Sequence, residues 1–447
     1  MNSDYAFVRL FVPMILRQTA RRHAVGRWLH LCLAIGVAVL SGAAADNEST
    51  LARFRSLRSD ALKAVQVGNY FQADQAMTRA LALYPTHAGA LLLLAQIKGH
   101  EQEFDAARGL LARYAGLGFT VPLDRLKSLE PVLASPQFMP IAVRLAVNGR
   151  PIGRLTVAAQ TAPEPILVNS VAFDASGGML VGCVHAAGVF RLEPDGSLRR
   201  FSAEGATSGV FEMAADPRRG DLWVSSSKVP QSSGDPAPPS LVRLDLATGR
   251  VKARFLVEHG GARQLGSVGL GPDGTVYVSD PIGARIWRLK PGAAVLELLT
   301  GSPDLGSPHG LVVAPDGRRL IVADYSTGLH AIDLASETDT MLPTAADVSL
   351  IGVDGLTGRN GRLYAVQNGV SPARVVELTL DRGWTRVVAA SVIAANRPEL
   401  REPTSGVARG RTFVFVASSQ WPDFGDDGSP SSANMAPAVI ARVELSR

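Results

Sequence analysis

Cysteine is nearly absent from the 447 residues: Cys32 and Cys183 are the only two. A disulfide framework and a four-cysteine zinc site are both excluded, and Cys183, on an apolar segment, reads as a small core residue. Charge of one sign is also missing once the first 45 residues are set aside. They hold five arginines against Asp4, and without them 40 basic residues face 39 acidic ones. The formal +5 therefore belongs to a leader, and no basic surface argues for a nucleic-acid partner. The motifs of several enzyme classes are lacking too: no G-x-S-x-G elbow, H-E-x-x-H, P-loop or paired-cysteine zinc pattern occurs. One G-x-G-x-x-G does occur, at "GLGPDG" (269–274), but "TVYVSD" follows it as a strand. With no helix after the glycines there is no N-terminus to hold a pyrophosphate, so the match is turn chemistry.

No apolar run is long enough for a comfortable membrane span. The longest, Trp28 to Leu40, follows a basic start and precedes "SGAAAD". That layout predicts a signal peptide over 1–45, cut after Ala45, and an exported, periplasmic protein. The alternative is an uncleaved leader that serves as a membrane anchor.

What the sequence has in quantity is a phrase. "PHGLVVAPDGRRLIVADY" (308–325) is two apolar runs joined by a Pro-Asp-Gly turn, the signature of a β-hairpin. Related phrases begin near residues 170, 212, 267, 354 and 405. Aligning Ser170, Glu212, Ser267, Gly310, Gly355 and Gly406 gives spacings of 42, 55, 43, 45 and 51. Periods near 40–50 residues predict propeller blades, here six. A third strand follows most hairpins ("GVFRLEPDG", "LVRLDLATG", "LHAIDLASE"), then a fourth apolar segment. The last copy stops after "AVIARVELSR" and lacks its fourth strand, while "RPIGRLTVAA" (150–159) precedes the first copy without a partner. An open edge is an aggregation hazard, so this segment is expected to close the ring as the outer strand of the last blade.

Residues 52–115 carry helical periodicity and a second repeat. Ala61 and Ala95, Tyr70 and Phe104, Ala73 and Ala107, Met77 and Leu111, and Ala80 and Tyr114 each stand 34 residues apart. The period, the small residues and Pro85 after the second helix resemble tetratricopeptide repeats. The resemblance implies a platform for a protein partner, or else an arm bracing the propeller. The expected organisation is a mainly β protein: leader 1–45, tetratricopeptide-like helices 46–140, six-bladed β-propeller 141–447.

In a propeller the residues just before the innermost strands converge on the central channel. Here they are Asn169, Phe211, Gly266, His309, Asp354 and Ser405. Asn169, His309 and Asp354 are the candidate ligands for a divalent metal, calcium or a zinc-like ion; the alternative is plain hydrogen bonding at a channel mouth. Long Pro/Gly/Ser-rich loops at 227–240, 368–373 and 420–437 are expected on the same face. Trp421, Phe424, Asp426 and Asp427 are the expected contacts of a lid over a small-molecule ligand.

The hairpin phrase, the "VDGL" at 353–356 and the blade count resemble the gluconolactonase/regucalcin family of six-bladed propellers, over about residues 165–445. That family holds a divalent metal with Glu, Asn and Asp at the channel mouth, and its Asp is a proposed general base. Carried over, the Asp is Asp354, whereas Asn169 stands where the family has Glu and His309 where it has the Asn of "NGL". The resemblance implies an altered metal site and hence a binding module. The competing expectation is a metal-dependent lactonase or related hydrolase with Asp354 and His309 as its catalytic residues.

Overall fold

The computed structural model describes residues 48–257 and 261–446. The expected leader, with Cys32, lies outside the described residues. No helix among the described residues is long and apolar enough to cross a membrane.

Four helices, Thr50–Gln66, Tyr70–Leu83, Ala88–His100 and Phe104–Gly116, form two hairpins. Each of the first three starts on a side-chain cap. The Ser49 hydroxyl accepts from the Ala52 N–H at 3.1 Å, Asn69 Oδ1 from Gln72 at 3.1 Å, and His87 Nδ1 from Ala90 at 3.2 Å. The 34-residue correspondence holds in burial: Ala61, Ala73, Ala95 and Ala107 are all fully buried where helices meet. At Gly99 a Cβ would fall 2.4 Å from the Ser128 carbonyl oxygen, so the chain can fold back there only over glycine. After Gly116 the chain turns to short helical segments, so the helices make a small helical part of two hairpins and no longer array. The final helix, Met139–Asn148, buries Ile141 and Leu145 in this same core, which carries the helical part past the expected boundary at residue 140.

The remainder is six four-stranded antiparallel sheets. The last blade runs, from outside to inside, Leu155–Gln160, Val439–Glu444, Thr412–Ser418 and Gly406–Arg409. Leu155 pairs with Val443 and Gln160 with Val439, so the segment before the first blade does close the ring. Alternating apolar residues fill the spaces between blades. Phe413 and Phe415 are fully buried with ring centroids 5.3 Å apart, and each such side chain contributes on the order of 2–3 kcal/mol. A polar residue ending a second strand often ties down the loop that leads into an inner strand. Asp280 accepts from the N–H groups of Arg263 and Gln264, and Asp324 from those of Gly306 and Ser307.

The helical part is seated against the fourth and fifth blades. Arg374, 5% exposed, donates to Gln367 Oε1 at 2.7 Å and to the Leu117 carbonyl at 3.2 Å, and its guanidinium lies 4.8 Å from the Phe119 ring. Burial pulls its pKa down to about 10, which still leaves it charged at neutral pH. The Thr120 N–H donates to the Ser371 carbonyl at 2.7 Å. Leu51 and Arg55 close on Gly306, so the first helix begins beside the segment that leads to His309.

Candidate functional site at the channel mouth

Four of the inner strands carry an irregularity where the ring residues lie. Register shifts fall between Val168 and Ser170, Val210 and Glu212, Pro308 and Leu311, and Val353 and Gly355. The extra residue in each is thus Asn169, Phe211, one of the pair His309 and Gly310, and Asp354. A bulged residue leaves the ladder and its side chain is re-aimed, which is how regular strands present irregular chemistry to a channel.

The structure brings His309 and Asp354 together. His309 Nδ1 lies 2.9 Å from Asp354 Oδ1, His309 Nε2 lies 3.3 Å from the Ser307 hydroxyl, and the Tyr325 ring is 5.4 Å from the imidazole. The second Asp354 oxygen accepts from Asn368 Nδ2 at 2.9 Å, and that amide also donates to the Pro403 carbonyl. The carboxylate orients the imidazole through Nδ1, which turns Nε2 toward the Ser307 hydroxyl. Ser307, His309 and Asp354 have the connectivity of a hydrolytic triad. Ser307, however, is 6% exposed and its hydroxyl also lies 3.2 Å from the Pro281 carbonyl, which makes it a poor nucleophile.

Asn169 has different company. Its Nδ2 donates to the Phe211 carbonyl at 2.7 Å, and its Oδ1 accepts from Trp421 Nε1 at 2.7 Å. Trp421 and Phe424, both expected in a lid, pack with Leu167, Val184, Phe211 and Met435, and the Phe424 ring lies 5.0 Å from His185. This loop is braced by the other long loop: Gln231 Nε2 donates to the Gly425 carbonyl, and a Cβ at Gly428 would strike the Pro230 carbonyl oxygen at 1.9 Å. Asp426 and Asp427 are exposed. Asp427 accepts from the Ser429 N–H and hydroxyl at 3.0 and 2.6 Å, which holds its pKa below the usual carboxylate range and makes it a turn former.

Glu212 is a functional candidate that sequence reasoning passed over. Its Oε1 accepts from the Ser405 hydroxyl at 3.1 Å, so the side chain of a second-blade residue reaches the sixth blade. Burial, helped by the charge of Asp354, pushes its pKa up to about 8 against the pull of hydrogen bonds from the Met213 N–H and Ser405. At neutral pH this is mostly a carboxylic acid, able to donate a proton. The signal was present: in the aligned set of Ser170, Glu212, Ser267, Gly310, Gly355 and Gly406 it is the single charged residue. Asn368 opens the 368–373 loop that was expected on this face, without being singled out, and Tyr325 and Ser307 were passed over because nothing in their local sequence sets them apart from turn residues.

The residues as arranged do not fit a divalent metal. Both Asp354 oxygens face nitrogen donors and Asn169 Oδ1 accepts from an indole N–H, so the oxygen donors are engaged within the protein on opposite sides of the mouth. No group of three His, Cys, Asp or Glu side chains able to hold a metal occurs among the described residues.

No protein-family model matches the sequence, and no curated protein matches it. Among solved structures the chain is similar to other propellers. It shares 15% identity with a PQQ-bound aldose sugar dehydrogenase from Streptomyces coelicolor, over 65% of this chain and 98% of that one, at a TM-score of 0.44. A gluconolactonase from Xanthomonas campestris is similar at 14% identity, over 65% of this chain and 89% of that one, at 0.43. Virginiamycin B lyase from Staphylococcus aureus is similar at 14% identity, over 66% and 89%, at 0.43. The six blades themselves are shown by the strand order, and what the channel mouth does has to be argued from its side chains.

Proposed function

We propose that the protein is an exported, metal-independent binding propeller that takes a small polar ligand at the channel mouth. His309, held in place by Asp354, and Glu212 supply the polar contacts, Trp421 and Phe424 form the lid wall, and the helical part serves a protein partner. The observation that carries this reading is that Asp354 and Asn169, the oxygen donors at the family-like metal positions, are committed to internal hydrogen bonds. Export rests on the composition of the leader.

A second reading, a hydrolase acting on a lactone or ester, is favoured by one feature: a neutral acid, Glu212, and an aspartate-held imidazole, His309, share one channel. His309 Nε2 would take a proton from the attacking water, the new carbon–oxygen bond would form as the ring C–O bond broke, and Glu212 would protonate the departing alkoxide.

Calorimetric titration of chelator-treated protein with zinc, manganese and calcium, beside a lactone screen in the presence of chelator, separates these readings. The binding reading expects no metal uptake and no hydrolysis. Hydrolysis in chelator that is lost in His309→Ala supports the second reading. Stoichiometric metal uptake that is lost in Asp354→Asn would overturn both in favour of a metal-dependent lactonase.

A further inference from the structure

The helix Met139–Asn148 buries one face in the helical core and leaves another bare. Met139, Val143 and Val147, at intervals of four residues, are 65%, 55% and 42% exposed. Four-residue spacing stacks them along one stripe. Val147 also lines a shallow groove of about 210 Å³ with Arg144 and Ile152, and Ile152 is itself 37% exposed. The apolar stripe thus runs on from the helix into the segment that leads to the closing strand.

The charge on this segment has one sign. Between Glu130 and Glu164 the sequence contains no acidic residue and three arginines, Arg144, Arg150 and Arg154. All three are exposed. On the neighbouring helices Lys98 meets Asp74, Glu101 and Glu103, and Glu130 meets Lys127. Among the described residues Arg144, Arg150 and Arg154 enter no such pair, so the charge of this acid-free segment is not offset locally. Exposed aliphatic side chains flanked by unneutralised arginines are the chemistry that docks on an anionic bilayer: the apolar groups enter the acyl boundary and the guanidinium groups meet lipid phosphate. The stripe carries no aromatic anchor of the kind that dominates protein–protein hot spots.

We propose that the face formed by Met139, Val143, Val147 and Ile152 with Arg144, Arg150 and Arg154 docks the protein on an anionic membrane surface, independently of the leader. The test uses the full chain carrying Cys32→Ser and an environment-sensitive fluorophore on Val143→Cys; Cys183 is buried and does not compete for the label. A second label, on Val67→Cys, reports a 79% exposed site outside this face. With phosphatidylglycerol vesicles at low salt, the label at 143 should shift to the blue and the one at 67 should not. The label at 143 should also stay aqueous on phosphatidylcholine vesicles. Attraction to an anionic surface is worth about fivefold per basic residue, so Arg144→Ser, Arg150→Ser and Arg154→Ser together should weaken partitioning about a hundredfold, as should high salt. Unchanged thermal melting in the triple variant confirms that it is folded. An aqueous label at 143 on anionic vesicles, or an equal shift on both lipids, overturns the proposal. A shift that needs no vesicles and grows with protein concentration also overturns it and assigns the face to a second copy of the chain.

Discussion

The two sides of the channel mouth are built from the same bulged inner strands and end in different chemistry. On the side of the fourth and fifth blades, His309 and Asp354 face each other as an acid–base pair. On the side of the first and second blades, Asn169 and Phe211 are bound to each other and sit with Trp421 and Phe424. What differs is the connection after the second strand. In the fourth blade only Tyr325, Ser326 and Thr327 separate strand Arg319–Asp324 from strand Gly328–Asp333. In the sixth, a long stretch separates Ser418 from Val439, and Trp421, Phe424 and Met435 from it pack against the residues of the mouth. A ring residue becomes a reactive group or a clamped one according to whether a neighbouring loop is long enough to reach it.

The largest effect should come from the closing strand beneath the lidded side. Deleting residues 1–149 leaves Leu155–Gln160 in place and should give a soluble propeller. Deleting 1–160 bares the edge of Val439–Glu444, the strand that follows the lid loop, and should give aggregation or a collapse in folded yield by size-exclusion chromatography. Equal behaviour would break the account of the lidded side. Next, Phe424→Ala empties the lid's apolar anchor and should cost about 3 kcal/mol by denaturant titration, while leaving the His309–Asp354 side intact.

The acid–base side is sharpened by pH. Because burial holds the Glu212 carboxyl at about 8, above its ordinary value of 4.5, the folded state holds a proton that the unfolded state gives up first. Its contribution is complete below about pH 4.5 and is lost as pH rises toward 8, on the order of 2 kcal/mol after allowance for its partial exposure to the channel. Glu212→Gln should flatten that slope in melting curves recorded from pH 5 to 8. Asp354→Asn should lower ligand affinity at least tenfold, about 1.4 kcal/mol, with a smaller change in stability, since the pair sits at the mouth and outside the strand ladders. Smallest of all, Asp427→Ala should leave ligand binding unchanged and move the melting temperature by about 1 °C or less, because its carboxylate only shapes an exposed turn.

Much of this was legible in the chain before folding, for reasons of periodicity. Apolar alternation broken by Gly-containing turns gives the blade, its recurrence gives six blades, and a spare strand at one end with a missing one at the other gives the closure through Leu155–Gln160. The ring positions Asn169, His309 and Asp354 followed from the same alignment, whereas Trp421 and Phe424 were expected near the mouth because they lie on the long loop 420–437 that follows a second strand. The 34-residue helical repeat showed the two hairpins but not their continuation, because Ile141 and Leu145 join that core from a segment outside the period.

Partnership was decided only by the tertiary structure. That Asn169 accepts from an indole 252 residues away, that Glu212 reaches Ser405, and that Asn368 braces Asp354 are consequences of closing the ring. The sequence by itself determined which residues arrive at the mouth, since a repeat fixes position along each blade. Which of them touch was decided by the lengths of the loops between strands and by the bulges that re-aim single side chains. Both are short, aperiodic features whose effect appears only when distant strands become neighbours.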